Sequence, residues 1–226
     1  MKKLNKIERN ISNIIIILLL AFATSNTYSQ NENTKGIIYG IGTNNQLYVW
    51  ENSSWKHIPN SGKITDIAVM KDGTIVGIGK DKQLYTRSST AWNNIPNSGD
   101  VTSVAVANDG SILAIGNNKS LYKWVQTALS SSWKAIPNTE GVTDITIMKD
   151  GTILGIGSNK ELYMRSGNSW KHIINSGYVI DIAVANDGTI FGVGTNKKMY
   201  MWVKTQLSSS WEEIPNSQGI IAIAIK

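Results

Sequence analysis

Cysteine is absent from this chain of 226 residues, and phenylalanine occurs only twice. Without cysteine there are no disulfides and no thiol nucleophile, so an exported domain must be held by its own core. Tryptophan and tyrosine, with eight copies each, supply most of the aromatic rings. Because these rings have an apolar body and a polar edge, they suit positions that are half buried and half solvated.

Clustered basic residues are also missing. The formal net charge is +6, but residues 1–30 contain Lys2, Lys3, Lys6 and Arg9 against Glu8 alone. The remaining residues carry 18 basic and 15 acidic side chains with no Lys/Arg run. A nucleic-acid footprint needs basic residues concentrated on one face, so the pattern excludes nucleic acid as the expected partner.

A long apolar segment is lacking as well. Residues 14–23 are apolar, follow a basic stretch, and precede small residues at Thr27 and Ser29. Ten residues are too few to span a bilayer, which needs about 20. We interpret residues 1–30 as a signal peptide cleaved near residue 29 or 30, with an uncleaved anchor as the alternative. The expected location is extracellular or periplasmic, with no membrane insertion after cleavage.

Internal repeats dominate the rest of the chain. A motif Trp-x-x-Ile-Pro recurs at spacings that alternate between 37 and 41 residues, and it loses its Pro in the fourth copy. A second motif, Leu/Met-Tyr, also occurs once in every unit. The repeated tryptophans are Trp55, Trp92, Trp133, Trp170 and Trp211, and the repeated tyrosines are Tyr48, Tyr85, Tyr122, Tyr163 and Tyr200. The chain therefore contains five units of about forty residues.

Each unit holds four short apolar stretches separated by turn residues. In the second unit these are residues 64–69, 74–79, 83–87 and 91–95, with roughly alternating polarity typical of strands. Four strands per unit predict an all-β, five-bladed β-propeller with four antiparallel strands per blade. Residues 36–42 begin with a second strand, and residues 219–225 have the pattern of a first strand. The C-terminal strand should therefore join the N-terminal blade and close the ring.

The repeat order Ile-Ala-Val-x-x-Asp-Gly-Thr-Ile-x-Gly-Ile-Gly, followed by Leu-Tyr and Trp-x-x-Ile, resembles the tectonin repeats of tachylectin-2-like β-propeller lectins. The resemblance covers residues 36–226, after a short linker at residues 31–35. It implies glycan recognition without catalysis, in shallow pockets between adjacent blades. The loop between the two outer strands of each blade would help to build each pocket. The missing Pro in the fourth unit and the unequal loop lengths argue against five identical sites.

Topology suggests which residues could form such sites. The turn between strands one and two and the loop between strands three and four lie at the same end of a blade. Indoles can stack on sugar rings, while carboxylates and guanidinium groups can bind hydroxyls. The candidate carbohydrate-binding residues are Trp50, Trp55, Asp72, Arg87, Trp92, Asp109, Trp124, Trp133, Asp150, Arg165, Trp170, Asp187, Trp202 and Trp211.

Structural interpretations compete with each of these roles. An outer-strand Trp can pack between blades, Asp-Gly is an ordinary hairpin turn, and Arg can lie along the blade. The repeated tyrosines are expected in the core. The opposite rim is the less favoured binding face, with turn residues Asn44, Asp81, Asn118, Asn159 and Asn196 and Pro-Asn-Ser-Gly linkers.

The third strand ends in Trp in units one, three and five, but in Arg87 and Arg165 in units two and four. Units three and five also have longer outer loops, at residues 125–132 and 203–210. Where Arg replaces Trp, a guanidinium group with several hydrogen-bond donors replaces an aromatic surface. The sequence therefore predicts two classes of pocket.

Catalytic and metal-binding signatures are missing from the sequence. His57 and His172 are equivalent repeat positions, and no cluster of His, Asp or Glu has the spacing of metal ligands. We therefore expect no enzyme activity, cofactor or metal. The preferred function is a secreted, monomeric, multivalent lectin for glycans on cell surfaces or polysaccharide. The alternative is a structural or protein-interaction propeller of an exported complex, and a polysaccharide-cleaving enzyme is disfavoured because the repeats are nearly symmetric.

Overall fold

The computed structural model describes residues 36–127, 130–204 and 208–226. The predicted signal peptide and the linker at residues 31–35 lie outside the described residues. The described part contains twenty strands: β1 (Ile38–Gly42), β2 (Leu47–Glu51), β3 (Ser54–His57), β4 (Ile64–Val69), β5 (Ile75–Gly79), β6 (Leu84–Arg87), β7 (Trp92–Asn94), β8 (Val101–Val106), β9 (Ile112–Gly116), β10 (Leu121–Gln126), β11 (Ser131–Ala135), β12 (Val142–Ile147), β13 (Ile153–Gly157), β14 (Leu162–Ser166), β15 (Ser169–His172), β16 (Val179–Val184), β17 (Ile190–Gly194), β18 (Met199–Lys204), β19 (Ser209–Glu213) and β20 (Ile220–Ile225). Within these ranges no helix is long and apolar enough to cross a membrane.

The strands form five antiparallel four-stranded sheets, which are the blades of a β-propeller. The predicted closure is confirmed, because blade 1 has the order β20-β1-β2-β3 and Ile38 pairs with Ile225. Blades 2 to 5 each use four consecutive strands, beginning at β4, β8, β12 and β16. The C-terminal strand is therefore the inner strand of the N-terminal blade.

The hydrophobic core is divided among the five interfaces between blades. Between blades 2 and 3, for example, Val76 and Leu84 pack with Val104 and Ala114. Each interface also takes in the half-buried fourth-strand Trp of the following blade, in ring order Trp55, Trp92, Trp133, Trp170 and Trp211. These indoles therefore have the inter-blade packing role that the sequence left open.

Glycine makes the close approach of four of these indoles possible, while blade 3 has Ala114 at the equivalent position. A Cβ added at Gly40 would lie 2.8 Å from Cη2 of Trp55, and one at Gly192 would lie 2.8 Å from Cη2 of Trp211. Real Cβ atoms do not approach other atoms so closely, so a side chain at either position would push the ring away. The repeated Gly in the second strand of these blades thus determines where the Trp ring packs.

A buried hydroxyl in each linker between blades makes hydrogen bonds that hold the linker in place. In the first linker Ser61 Oγ accepts the amide proton of Leu47 at 2.9 Å and donates to the carbonyl of Ile58. The same arrangement recurs at Ser98, Thr139, Ser176 and Ser217. The Ser of the Pro-Asn-Ser-Gly linker is therefore a structural residue that fixes the linker against its own blade.

We predict that deleting residues 220–226 destroys the soluble ring. The deletion removes the partner of β1 and exposes the edge of a sheet, which favours edge-to-edge association. Size-exclusion chromatography and thermal melting should show aggregation and loss of the cooperative transition. Deletion of Lys226 alone, beyond the end of β20, serves as the control. A soluble monomer with a cooperative transition after the longer deletion would contradict this account of closure.

Candidate functional site

The four predicted Asp residues form the turns between the first and second strands. In each turn Oδ1 accepts the amide proton two residues later, with distances of 2.8 to 2.9 Å. This backbone hydrogen bond is the main cause that lowers the pKa of Asp72, Asp109 and Asp150. Asp72, Asp109, Asp150 and Asp187 are exposed and stabilise their own hairpins. Their geometry favours the turn interpretation over a shared sugar site.

The two predicted arginines reach the linker of the preceding blade. Arg87 donates from Nη1 and Nη2 to the carbonyls of Asn60 and Pro59, at 2.9 and 2.8 Å. Arg165 does the same to Asn138 and Pro137. Their guanidinium groups also lie 5.3 and 5.6 Å from the ring centroids of Trp92 and Trp170. Both forks are thus engaged by the protein itself, which favours their structural role.

In the odd-numbered blades a second Trp takes the place of this Arg. Trp50 and Trp55 meet edge to face with their ring centroids 4.9 Å apart. The pairs Trp124–Trp133 and Trp202–Trp211 repeat this contact. Residues 128–129 and 205–207 of the long loops beside these pairs lie outside the described residues. The alternation of Arg and Trp at the end of the third strand therefore gives two kinds of packing contact with the fourth-strand Trp.

Two cavities lie at the rim that the sequence analysis did not favour. We call it the linker rim; it holds the linkers between blades and the turns between second and third strands. The cavity of blade 3 has a volume of about 350 Å³ and includes Asp100, Asn117, Asn118, Tyr122 and Trp133. The cavity of blade 5 has about 280 Å³ and includes Tyr178, Thr195, Asn196, Tyr200 and Trp211. Of the candidate residues, only Trp133 and Trp211 line these two cavities.

The floor of both cavities is built from repeated turn chemistry. Asn118 Nδ2 donates to the hydroxyl of Tyr122 at 2.9 Å, and Asn196 does so to Tyr200 at 2.7 Å. Both tyrosines are half-buried, so the expectation that they belong to the core is wrong for their polar ends. The hydroxyls lie near the surface because the ring packs over the Gly that ends the second strand, at Gly116 and Gly194.

The cavities differ in the linker residue beside the Trp. In blade 3 this is Asp100, whose Oδ1 accepts from Asn117 Nδ2 at 3.2 Å, while Asn117 Oδ1 accepts from Lys82 Nζ at 2.7 Å. In blade 5 it is Tyr178, which is 81% exposed. The sequence analysis missed both residues because each occurs in only one repeat. Aligning the five linkers shows the position to be variable: Lys63, Asp100, Gly141, Tyr178 and Gly219.

A family comparison fits this geometry. The model of the tectonin domain matches residues 28–140 and 141–223. The chain belongs to the tectonin family. No curated protein matches the sequence significantly.

Solved structures share the tectonin propeller's fold at low identity. A protein solved in work on the de novo evolutionary emergence of a symmetrical protein aligns with a TM-score of 0.57 and 13% identity, over 83% of this chain and 93% of that one. A protein of unknown function from Bacteroides thetaiotaomicron VPI-5482 aligns with a TM-score of 0.53 and 13% identity, over 84% of this chain and 64% of that one. Likeness at this identity shows the fold alone.

The axis of this tectonin propeller carries a group of carboxylates that the sequence analysis also missed. Asp66, Asp144 and Asp181 come from the inner strands of three blades, and their ligating oxygens lie within 4.8 Å of one another. All three are buried. The sequence signal was an Asp at the same place in three inner strands whose other residues are apolar or Thr. Among the residues described, this is the cluster whose oxygens could surround a hard cation.

Hydrogen bonds give these carboxylates a structural role. Asp66, Asp144 and Asp181 accept amide protons from Val104, Ile182 and Ile223, each on the next inner strand of the ring, at 2.7 to 3.0 Å. Ser103 occupies the same place in blade 3 and accepts from Ile145 at 3.2 Å while donating to Asp144 at 2.6 Å. These bonds cross four of the five blade interfaces.

Burial is the main cause that raises the pKa of all three carboxyl groups. The pKa of Asp66 rises to about 6, and those of Asp144 and Asp181 rise well above their ordinary value, with mutual repulsion as the next cause. A raised native pKa means that the folded state binds protons more tightly than the unfolded state. The resulting stabilisation is complete below the unfolded value near 4 and is lost as the pH rises through the native values.

We therefore predict that the protein melts at a higher temperature at pH 5 than at pH 8, by about 5 °C. Asp66→Asn should reduce this difference, because the amide stays neutral and still accepts a hydrogen bond. The exposed Asp150→Asn is the control and should keep it. Calorimetry is done with a chelator present, so that no cation replaces the protons. A melting temperature that rises towards pH 8 would refute the assignment.

We also predict that Arg87→Ala lowers stability by about 1–2 kcal/mol, because two hydrogen bonds to backbone carbonyls disappear. The response of the variant to glycans should be the same as that of the wild type. Denaturant unfolding and a binding titration on the same variant provide the two readings, and Arg165→Ala is the matched replicate. Loss of binding at unchanged stability would restore the direct sugar-binding role of Arg87.

Proposed function

We propose that this tectonin propeller is a secreted, non-catalytic lectin that binds glycans in cavities at the linker rim. The observation that carries the proposal is the shared composition of the two cavities. Each combines one face of a half-buried Trp with a Tyr hydroxyl and an Asn amide. A further polar residue comes from the turn between the second and third strands. Sugars need this combination, because a pyranose presents apolar C–H groups on its faces and hydroxyls around its edge.

The size and number of the cavities also fit this function. Their volumes lie near the lower end of the range for small-molecule sites, about 300–1,000 Å³, which suits one or two sugar rings. Both open at the same rim of a rigid ring. A surface that displays many copies of a glycan could therefore engage both at once, and avidity would strengthen weak single sites by about 10²–10⁴-fold.

The chemistry of the lining supports a non-catalytic role. The cavity of blade 3 has one carboxylate, Asp100, which already accepts a hydrogen bond from Asn117. Glycoside cleavage ordinarily uses two carboxylates placed across the bond. The lining residues of blade 5 include no carboxylate. Binding without bond cleavage is therefore the activity that these residues support.

A protein-interaction propeller is the second candidate, and one observation favours it. Ile174 and Tyr178 are 71% and 81% exposed, and both belong to the linker between blades 4 and 5. Exposed apolar side chains in one segment can mark a protein contact.

The proposed function is tested by a glycan array followed by NMR titration with the best ligand. The eight Trp indole N–H groups provide separate reporters of both rims in the ¹⁵N-labelled protein. We expect saturable shifts for the indoles of Trp133 and Trp211. Trp92 and Trp170, in blades 2 and 4, are internal controls. Shifts confined to Trp50 or Trp202 would move the site towards the outer loops, and an array without binding would favour the interaction propeller.

A further inference from the structure

The residue before each inner strand has an unusual backbone conformation in every repeat. The φ angles are +74° at Lys63, +66° at Asp100 and +73° at Tyr178, while the remaining two repeats have Gly141 at +93° and Gly219 at +89°. Left-handed backbone is easy for Gly and strained for a bulky residue such as Tyr. Folding alone is therefore best served by Gly at this position.

Tyr178 is an unfavourable residue for the fold at this position. It is 81% exposed, so its ring gains little from burial to offset the strained backbone. Its carbonyl accepts the amide proton of Thr195 at 2.9 Å, a contact that Gly would make equally well. Strained residues that do not serve packing concentrate at sites of function. The side chain itself lines the same cavity as Trp211.

The position of Trp211 is set independently of Tyr178. Its Nε1 donates to the carbonyl of Ser176 at 3.2 Å, and its ring lies against Gly192 and packs on the core cluster that includes Val179. The indole is therefore fixed, and Tyr178 adds its ring to a lining that already contains the rings of Trp211 and Tyr200. In blade 3 the equivalent place holds the carboxylate of Asp100 within a network of Asn117 and Lys82.

We propose that the two cavities recognise different features of a sugar and that Tyr178 is the specificity residue of the blade 5 site. This inference rests on the proposed function. The Tyr178 cavity binds a neutral hexopyranoside through its apolar C–H face, against the aromatic lining that Tyr178 and Trp211 form. The Asp100 cavity binds chiefly through sugar hydroxyls. Its carboxylate accepts hydrogen bonds from them, and its amide groups can both accept and donate.

The test uses methyl β-D-galactopyranoside as the probe, because three neighbouring C–H groups form a continuous apolar patch on one of its faces. The indole signals of Trp211 and Trp133 report the two cavities separately during an NMR titration. We expect Tyr178→Gly to weaken binding at Trp211 by about 3- to 10-fold, the usual range for loss of one aromatic contact. Tyr178→Phe keeps the ring and should bind as the wild type does.

The melting temperature tests whether Tyr178 has only a structural role, because loss of a structural residue would lower it. Gly suits the left-handed conformation, so Tyr178→Gly should melt within about 3 °C of the wild type. Lys63→Gly is the matched control, because it makes the same backbone change in blade 2, away from both cavities. It should leave the response of Trp211 unaltered.

The outcomes separate this inference from the proposed function. Unchanged binding at Trp211 in Tyr178→Gly overturns the role of Tyr178 while the lectin function stands. A wild-type protein that binds glycans on the array but shows no response of Trp211 to the probe also overturns it. Binding lost together with a fall in melting temperature of more than about 10 °C overturns it as well, since Tyr178 would then act through the fold. Failure of every glycan on the array removes both proposals.

Discussion

Contacts across the blade interfaces hold this propeller together, because hydrogen-bonded pairing of strands ends within each four-stranded blade. Apolar packing provides most of the contact, and each interface includes the fourth-strand Trp of the next blade. At the axis, buried side chains of the inner strands accept amide protons from their neighbours. A chain without disulfides can therefore keep a ring closed, and the C-terminal strand completes it.

This constraint supports the proposed location of the binding sites. At the opposite rim the Asp carboxylates are engaged in their own turns. The Arg residues are engaged as well, because they donate to carbonyls of the preceding linker. At the linker rim the left-handed linker residue and the turn between second and third strands leave a gap beside the fixed indole. The Trp thus serves both purposes, because one face packs in the interface and the other lines the cavity.

The repeat made most of the fold predictable from the sequence. Inner strand β4 occupies the predicted residues 64–69, and β20 begins one residue later than expected. Local alternation and turn residues determine these features, so one repeat is enough to read them. The Tyr hydroxyls at the surface could not be read this way, because their place depends on the turn Asn and on a neighbouring Gly.

The site was harder to predict, for a physical reason. The reach of Arg87 to Pro59 and Asn60 joins two blades, and sequence spacing does not show which blades face each other or how. The carboxylates of Asp66, Asp144 and Asp181 likewise meet only when the ring closes. The variable linker position was visible in the sequence. A search for conserved repeats passes over it, because the position holds Lys, Asp and Tyr in three units and Gly in the other two.

The central claim is that glycans bind at the linker rim, beside the fourth-strand Trp of blades 3 and 5. A crystal structure of the protein with the best array ligand tests it most directly. The account predicts sugar density against the exposed faces of Trp133 and Trp211, with hydroxyls within hydrogen-bond distance of Asp100 and Thr195. Density at the opposite rim, beside Asp72 and the loops between third and fourth strands, would contradict it.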